Sequence, residues 1–295
     1  MDTTLKTRFQ SEQTTVVLMV NDKSDCNMNC THCFLSYEGT RPPEEVVELV
    51  DRFRTNCRVI VAGSETLTNL GYLEAYRRAG QKYILTNGLL LHQKPELFGL
   101  LRDYGIEEIQ LSLHFGIQED LHSVPERIVR DVIQKAKAEG FRVQVAVTIT
   151  PENYRDVEEM CSQVRRMEVD RIRFIKYLKF GSAREEDRST LTDLERETFF
   201  DLVDVARREY DKAELTIQIA GNFGPREGTK GEELARCNQY CPAGEKLFVV
   251  APNGQVYGCP YLMEYPIGEL TEDFRFQITE NLCDGARNRC LTDIV

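Results

Sequence analysis

The sequence has 295 residues, of which 41% are hydrophobic and 29% are charged, as in globular proteins. No apolar run reaches the roughly 20 residues of a membrane span, and the N-terminal segment lacks the apolar core of a signal peptide, so we expect a cytoplasmic protein with no membrane partner. A net charge of -11 disfavours nucleic-acid binding and mildly favours a cationic partner.

Six apolar, β-branched runs alternate with amphipathic patterns along the first two thirds of the chain. Strands are predicted at 14–20, 57–63, 82–88, 107–113, 142–149 and 171–178. Helices are predicted at 42–54, 66–80, 94–104, 124–140, 151–167 and 191–210. This alternation predicts an α/β fold with a parallel sheet. Because six units fall short of the eight in a closed barrel, we expect a partial (β/α)6 parallel barrel.

A second region follows this predicted core, which spans residues 14–220. The segment GNFGPREGTKGEE at 221–233 is rich in glycine and charge and reads as a linker. Beyond it, KLFVVAPNGQVYGC at 246–259 has two apolar runs around Pro-Asn-Gly, which predicts a β-hairpin. Residues 234–295 therefore form a predicted second domain, a small cysteine-rich extension of hairpin and helix.

Ten cysteines are unevenly distributed, and three of them lie in the segment CNMNCTHC at 26–33. Isolated Cys57 and Cys161 lie in apolar patterns and are interpreted as inert core residues. Cys26, Cys30 and Cys33 could bind zinc together with His32, although side chains adjacent in sequence diverge. The alternative is an iron–sulfur cluster held by three thiolates, which leaves one iron open to a ligand.

The spacing C-x3-C-x2-C after the first strand resembles the radical SAM superfamily. This resemblance implies that Cys26, Cys30 and Cys33 hold a [4Fe-4S] cluster whose open iron binds S-adenosylmethionine (SAM). Reductive cleavage of SAM then gives a 5'-deoxyadenosyl radical that abstracts a substrate hydrogen. A flavodoxin- or ferredoxin-type reducing partner is expected.

Further loops that follow predicted strands extend the resemblance. Gly63, Ser64 and Glu65 are similar to the family's Gly-Gly-Glu motif, which implies that Glu65 binds the SAM amino group; Ser64 departs from the motif's second glycine. The other SAM-binding residues implied by the resemblance are His32, Asn87, Ser112, Ile149 and Gly181. Ordinary packing or turn roles remain the alternative for Ser112, Ile149 and Gly181.

The late cysteines resemble the auxiliary-cluster domains of the twitch and SPASM type, through the spacing C-x12-G-x4-C of Cys241, Gly254 and Cys259. The resemblance implies a second, auxiliary [4Fe-4S] cluster with ligands among Cys237, Cys241, Cys259, Cys283 and Cys290. One cluster takes at most four thiolates, so one cysteine is spare. Cys237, Cys283 and Cys290 are the candidates for a catalytic hydrogen-atom donor. Structural zinc is the alternative at these cysteines.

The leading hypothesis for the reaction is epimerisation of a small cationic amino sugar, of the aminoglycoside type found in antibiotic biosynthesis, with the spare thiol as donor. The alternatives are a dehydrogenase of an aminocyclitol or sugar alcohol, whose auxiliary cluster accepts an electron, and a peptide (RiPP) maturase. Because the first strand is expected by about residue 14, no N-terminal leader-binding domain is expected, which places the maturase third. A non-catalytic iron–sulfur or zinc scaffold is the hypothesis from another class.

Overall fold

The computed structural model of the chain describes residues 14–122, 124–210, 215–223, 243–244 and 246–278. These residues belong to two compact units. Unit 1 contains the described residues of 14–27, 35–82 and 243–278. Unit 2 contains those of 28–34 and 83–223.

Unit 1 contains a mixed six-stranded sheet in which the first strand lies next to one edge and has a parallel neighbour on each side. Strand β1 (Thr15–Met19) pairs in parallel with β2 (Arg58–Ala62) on one side and with β8 (Leu247–Val250) on the other. The sheet continues from β8 through three antiparallel strands, namely β9 (Gln255–Tyr257), β10 (Gly268–Leu270) and β11 (Phe276–Ile278). Helices α1 (Pro43–Phe53) and α2 (Leu73–Ala79) belong to the same unit.

Unit 2 is a five-stranded parallel sheet whose strands follow one another in chain order. The strands are β3 (Tyr83–Thr86), β4 (Glu108–Ser112), β5 (Arg142–Ile149), β6 (Arg171–Lys176) and β7 (Thr216–Ile219). Its helices are α3 (Leu89–Gln93), α4 (Leu97–Asp103), α5 (Gln118–Leu121), α6 (Glu126–Ala138), α7 (Val157–Arg166) and α8 (Asp193–Tyr210).

The predicted α/β class with successive parallel strands of partial-barrel type is confirmed, and so is the C-terminal hairpin, formed by β8 and β9. The sequence did not predict β7, nor that β8 joins β1 in a parallel ladder. The domain boundaries at 14–220 and 234–295 stay predictions, because 224–242, where they would meet, lies outside the described residues. Among the described helices, none has the length and apolarity needed to cross a membrane.

Two predicted helices begin later than expected, for one physical reason. In the segment 66–80, the side chains of Glu65 and Asn69 each accept a backbone N–H and cap separate 3-10 turns, so α2 starts only at Leu73. In the segment 151–167, the side chain of Asn153 accepts the N–H of Thr150, and α7 starts at Val157. Such local side-chain bonds compete with helix formation.

The two faces of the unit 2 sheet differ in polarity. One face carries buried apolar residues such as Leu111 and Val145, and α6 packs against it over β4 and β5. Because side chains alternate along a strand, the residues between them point to the opposite face. In register, that face carries Glu108, Gln110 and Ser112 on β4, Gln144, Ala146 and Thr148 on β5, Arg171 and Arg173 on β6, and Gln218 on β7. We call this set the polar face.

Strand β2 is paired with β1 along one edge, and the side chain of Gln81 forms hydrogen bonds to its other edge. The amide of Gln81 accepts the N–H of Val61 at 2.7 Å and donates to the carbonyl of Val61 at 3.1 Å. Gln81 is only 6% exposed, so its amide replaces a strand partner in a place that water does not reach. The sheet edge is thereby covered without another strand.

Replacing Gln81 by Ala leaves both backbone groups of Val61 without this partner. We expect a loss of about 2–4 kcal/mol in the free energy of unfolding, since each unsatisfied buried group costs about 1–3 kcal/mol. Chemical denaturation followed by circular dichroism measures it. The matched control is Gln93→Ala at an exposed position, which should change stability little. Equal stability of the two variants would contradict the assigned role.

Candidate functional site

The cysteine segment begins where β1 ends, and its first part belongs to unit 1. A 3-10 turn at Lys23–Asp25 precedes it, capped by Asp22, whose carboxylate accepts the N–H of Ser24 at 2.7 Å and that of Gly39 at 2.7 Å. The N–H of Cys26 donates to the carbonyl of Lys23 at 3.2 Å. The turn therefore fixes the backbone directly before Cys26.

The second part of the segment belongs to unit 2 and is tied to the end of α5. Thr31 donates its N–H to the carbonyl of Leu121 at 3.1 Å and its hydroxyl to the carbonyl of Asp120 at 3.0 Å. The Nδ1 of His32 lies 2.7 Å from the same Leu121 carbonyl. Carbonyls at a helix end have no partner inside the helix, so they are available to anchor this loop.

Cys33 is anchored from another side of unit 2. Its carbonyl accepts the N–H of Ser182 at 2.8 Å, within the 3-10 turn Gly181–Glu185 that follows β6. Gly181 opens this turn with φ of 56°, a left-handed conformation that favours glycine. The N–H of Cys33 in turn donates to the carbonyl of Cys30 at 3.3 Å.

The three thiols suit a cluster by donor type and spacing. Cys26, Cys30 and Cys33 are all half-buried rather than sealed in the core. Three soft thiolates are the ligands that iron–sulfur clusters take. Within the described residues no group of three His, Cys, Asp or Glu side chains has the arrangement of a metal site, so the fit is one of donor chemistry and chain spacing. By contrast, burial raises the pKa of the Cys161 thiol to about 12, and Cys161 is a core residue as predicted.

Three imidazoles of unit 2 gather beside the cysteine segment. The ring centroids of His32 and His114 are 4.9 Å apart, those of His32 and His122 5.9 Å, and those of His114 and His122 5.8 Å. We call them the histidine cluster. His114 follows β4 and His122 follows α5, so the cluster joins the cysteine segment to the carboxyl end of the sheet.

Hydrogen bonds to the backbone determine which nitrogen of each ring carries the proton. Nδ1 of His114 accepts the N–H of Thr148 at 3.0 Å, and Nδ1 of His122 accepts the N–H of Val124 at 3.1 Å. Both rings therefore carry hydrogen on Nε2 when neutral. Nδ1 of His32 faces a carbonyl and must donate. Two rings thus lack a free lone pair, which argues against a three-histidine metal site.

Burial keeps the cluster neutral. It lowers the pKa of His32 and lowers that of His114 well below its ordinary value, with the neighbouring imidazoles adding to the effect at His114. Burial also lowers the pKa of His122 to about 4. Nε2 of His114 is buried and has no hydrogen-bond partner among the residues that the structure describes.

In unit 1, the predicted Gly63-Ser64-Glu65 motif is held by Asn21, two residues after the end of β1. The side chain of Asn21 accepts the N–H of Ser64 at 3.0 Å and donates to the carbonyl of Glu65 at 3.2 Å. A Cβ on Gly63 would overlap Oδ1 of Asn21, so a larger residue there would displace the side chain that holds the motif. Sequence reasoning missed Asn21; its position after the first strand was the available signal.

Within the motif, Glu65 is fully buried, so it is not a solvated loop acid. Its carboxylate accepts the N–H of Leu67 at 3.2 Å and caps the turn Thr66–Thr68. The hydroxyl oxygen of Ser64 is buried without a partner in the described part of the chain. A polar group of this kind is available to a ligand.

The remaining predicted residues divide by environment. Asn87 accepts the N–H of Leu89 at 2.9 Å and shapes the turn after β3. Ile149 is fully buried at the end of β5. Ser112 is half-buried on the polar face at the end of β4. Their roles toward SAM stay predictions.

Of the late cysteines, only Cys259 falls within the described residues. It is buried, and its sulfur accepts the N–H of Tyr261 at 3.4 Å. Cys237, Cys241, Cys283 and Cys290 lie outside the described residues, so the auxiliary cluster and the hydrogen-atom donor stay predictions.

Comparisons with known proteins agree with this geometry. Residues 20–164 match the model of the radical SAM superfamily. The chain is 24% identical to Fe-coproporphyrin III synthase of Methanosarcina barkeri, over 96% of this chain and 78% of the relative. Streptococcus suis SuiB bound to S-adenosylmethionine has a TM-score of 0.69 at 16% identity, over 96% of this chain and 67% of its own.

A second solved structure, anSMEcpe with bound AdoMet, has a TM-score of 0.63 at 18% identity, over 87% of this chain and 77% of its own. At these identities the solved structures establish the fold. The family match covers the cysteine segment, the Gly63-Ser64-Glu65 motif and the segments that follow the first five strands. Residues 20–164 therefore belong to the radical SAM superfamily.

Proposed function

We propose that this radical SAM enzyme binds its cluster through Cys26, Cys30 and Cys33 and binds SAM through the motif at Gly63–Glu65. The observation that carries the proposal is the pair of segments that follow β1 and β2, one with three half-buried thiols and one with a buried carboxylate. When bound, the cluster and SAM would supply reductive cleavage and a radical able to abstract hydrogen from a substrate C–H bond.

The protein's own contribution is to prepare polar groups for the charged ends of SAM. Asn21 holds the backbone of Ser64 and Glu65, and Glu65 keeps a carboxylate in a buried place. A buried carboxylate gains most from a cationic partner, and the ammonium of SAM is one. The unpartnered hydroxyl of Ser64 can donate a further hydrogen bond that a glycine there could not.

The histidine cluster supports the cysteine segment without adding charge. His32 is anchored to Leu121 and packs against His114 and His122, and burial keeps all three rings neutral. Neutral rings exclude water beside Cys33 without adding a charge to compete with the thiolates. This role fits a radical reaction, in which water must be kept away.

For the finer reaction, epimerisation of an amino sugar with a cysteine donor is retained as the proposal made from the sequence. Its support is the count of five late cysteines against four ligands for an auxiliary cluster. The candidate donors Cys237, Cys283 and Cys290 are testable one at a time. In deuterated water an epimerase places one deuterium on the product carbon, whereas a dehydrogenase yields a ketone without solvent label.

Relatives favour a second candidate. Fe-coproporphyrin III synthase matches across nearly the whole chain, and SuiB was also solved bound to its precursor peptide SuiA. A tetrapyrrole-type small molecule and a peptide are therefore the substrate classes to set beside the amino sugar. Incubation with each class, followed by mass spectrometry of the products, separates them.

The cluster assignment predicts the outcome of removing its ligands. The triple variant Cys26→Ala, Cys30→Ala, Cys33→Ala should lose about four irons and four sulfides per chain after anaerobic reconstitution. It should also form no 5'-deoxyadenosine from SAM under dithionite. Cys57→Ala is the matched control, because Cys57 is also half-buried but lies outside the segment. Retention of SAM cleavage by the triple variant would contradict the proposal.

The role of Asn21 is tested by an isosteric change. Asn21→Asp removes the donor to the Glu65 carbonyl and sets a carboxylate oxygen against it, which should weaken SAM binding by about tenfold. Anaerobic equilibrium dialysis with labelled SAM measures this, and Asn56→Asp at an exposed site is the control. Gly63→Ala, whose Cβ meets Oδ1 of Asn21, should weaken binding in the same direction. Unchanged affinity in both variants would contradict the assignment.

A further inference from the structure

Arg173 is a cation on the polar face of unit 2 that no described residue pairs. It lies on β6 and is half-buried. Its guanidinium has neither an ion pair nor a hydrogen bond with any residue that the structure describes. Most other half-buried cations differ, as Arg171 shows by contacting Glu108 at 3.1 Å and Gln144 at 3.0 Å.

The row of residues around Arg173 is otherwise uncharged. In register across the sheet, the row runs from Ser112 on β4 through Ala146 on β5 to Arg173 and then Gln218 on β7. Arg173 therefore lies in a row whose other members offer a hydroxyl and an amide for hydrogen bonding.

Among the described residues of this face, no acid forms an ion pair with Arg173. The described carboxylate of the polar face is Glu108, at the amino end of β4, and it is engaged by Arg171 at 3.1 Å and approached by Arg142 at 3.8 Å. A half-buried guanidinium without a counter-ion favours an anion, and its planar fork suits a carboxylate that accepts two hydrogen bonds.

A second donor lies one row nearer the carboxyl end of the sheet. His114 continues β4 two residues beyond Ser112, and its buried Nε2–H has no acceptor among the described residues. From strand spacing and rise, the Cα atoms of Arg173 and His114 are about 12 Å apart. One ligand of ordinary metabolite size can reach both, since an arginine side chain extends roughly half that distance.

The location connects this face to the proposed chemistry. His114 contacts His32 of the cysteine segment, with ring centroids 4.9 Å apart. In parallel sheets, ligands bind at the carboxyl ends of the strands. A ligand held by Arg173 and His114 would therefore lie at the end of the sheet that carries the segment with Cys30 and Cys33.

We propose that Arg173 binds a carboxylate of the substrate and that the substrate is consequently an anionic small molecule, with His114 as a second hydrogen-bond donor to it. The inference rests on the radical SAM chemistry of the proposed function and names the chemical class of its substrate. It replaces the cationic amino sugar, because the two substrate classes are opposite in charge.

The test uses two probes of one shape, 4-fluorobenzoate and the uncharged 4-fluorobenzamide, followed by fluorine NMR on the full cluster-reconstituted chain. We expect saturable binding of the benzoate and none of the benzamide. Arg173→Gln should weaken benzoate binding at least about tenfold. Arg173→Lys keeps the positive charge but loses the planar guanidinium, so its affinity for benzoate should lie between those of the wild type and Arg173→Gln. Thermal melting confirms that each variant folds.

The control is Arg127→Gln, which removes one positive charge from an exposed position of α6 and should leave benzoate binding unchanged. Adding saturating SAM distinguishes a substrate carboxylate from the carboxylate of SAM as the group that Arg173 binds. Displacement of the benzoate by SAM would assign Arg173 to SAM and overturn the substrate assignment. Absence of saturable binding to the wild type, or equal binding by Arg173→Gln, would overturn the inference.

Failure of the proposed function is distinguishable from these results. It is read from the wild type alone, as the absence of 5'-deoxyadenosine when SAM and dithionite are supplied. Benzoate binding does not depend on SAM cleavage, so a positive NMR result with no cleavage would leave an anion site in a protein of another activity. SAM cleavage without benzoate binding would support the radical SAM activity and contradict the anionic substrate.

Discussion

The need to satisfy buried backbone groups where parallel strands end shapes most of this structure. Beyond the last hydrogen bond between two strands the chain is still buried, and an unpaired N–H or carbonyl there costs folding free energy. Amide side chains supply the missing partners. Asn21 does so after β1, Asn153 after β5, where it donates to the carbonyl of Thr148 at 3.0 Å, and Asn222 beside β6, where it bonds both backbone groups of Lys176.

The few buried polar atoms that have no partner are therefore informative. Where nearly every buried polar atom has a partner, one without a partner indicates a group kept for something that binds. The hydroxyl of Ser64 and Nε2 of His114 are such atoms, and they lie on the segments after β2 and β4. Among the described residues, the other buried atoms without a hydrogen-bond partner belong to ion-pairing side chains such as Arg171 and Arg196.

The sequence was sufficient for the order of elements because hydrophobic runs and glycine stops are local signals. It was sufficient for the motifs because cysteine spacing and Gly63–Glu65 are contiguous. It could not show Asn21 holding Ser64, nor the histidine cluster, since His32, His114 and His122 are brought together by folding. Nor could it show that β8 pairs with β1, because a parallel partner 232 positions along the chain leaves no local trace.

Net charge is dominated by residues at the surface. Several acids of α1 and α2 pair with nearby arginines there, as in Glu48 with Arg52 and Glu74 with Arg77. Exposed pairs of this kind are screened by solvent and say little about what a buried face binds. On the polar face, Glu108 is paired with Arg171, whereas Arg173 has no ion pair with a described residue. A strongly acidic chain is therefore compatible with the anion site that we propose at Arg173, because the local unpaired charge and not the net charge acts on a bound ligand.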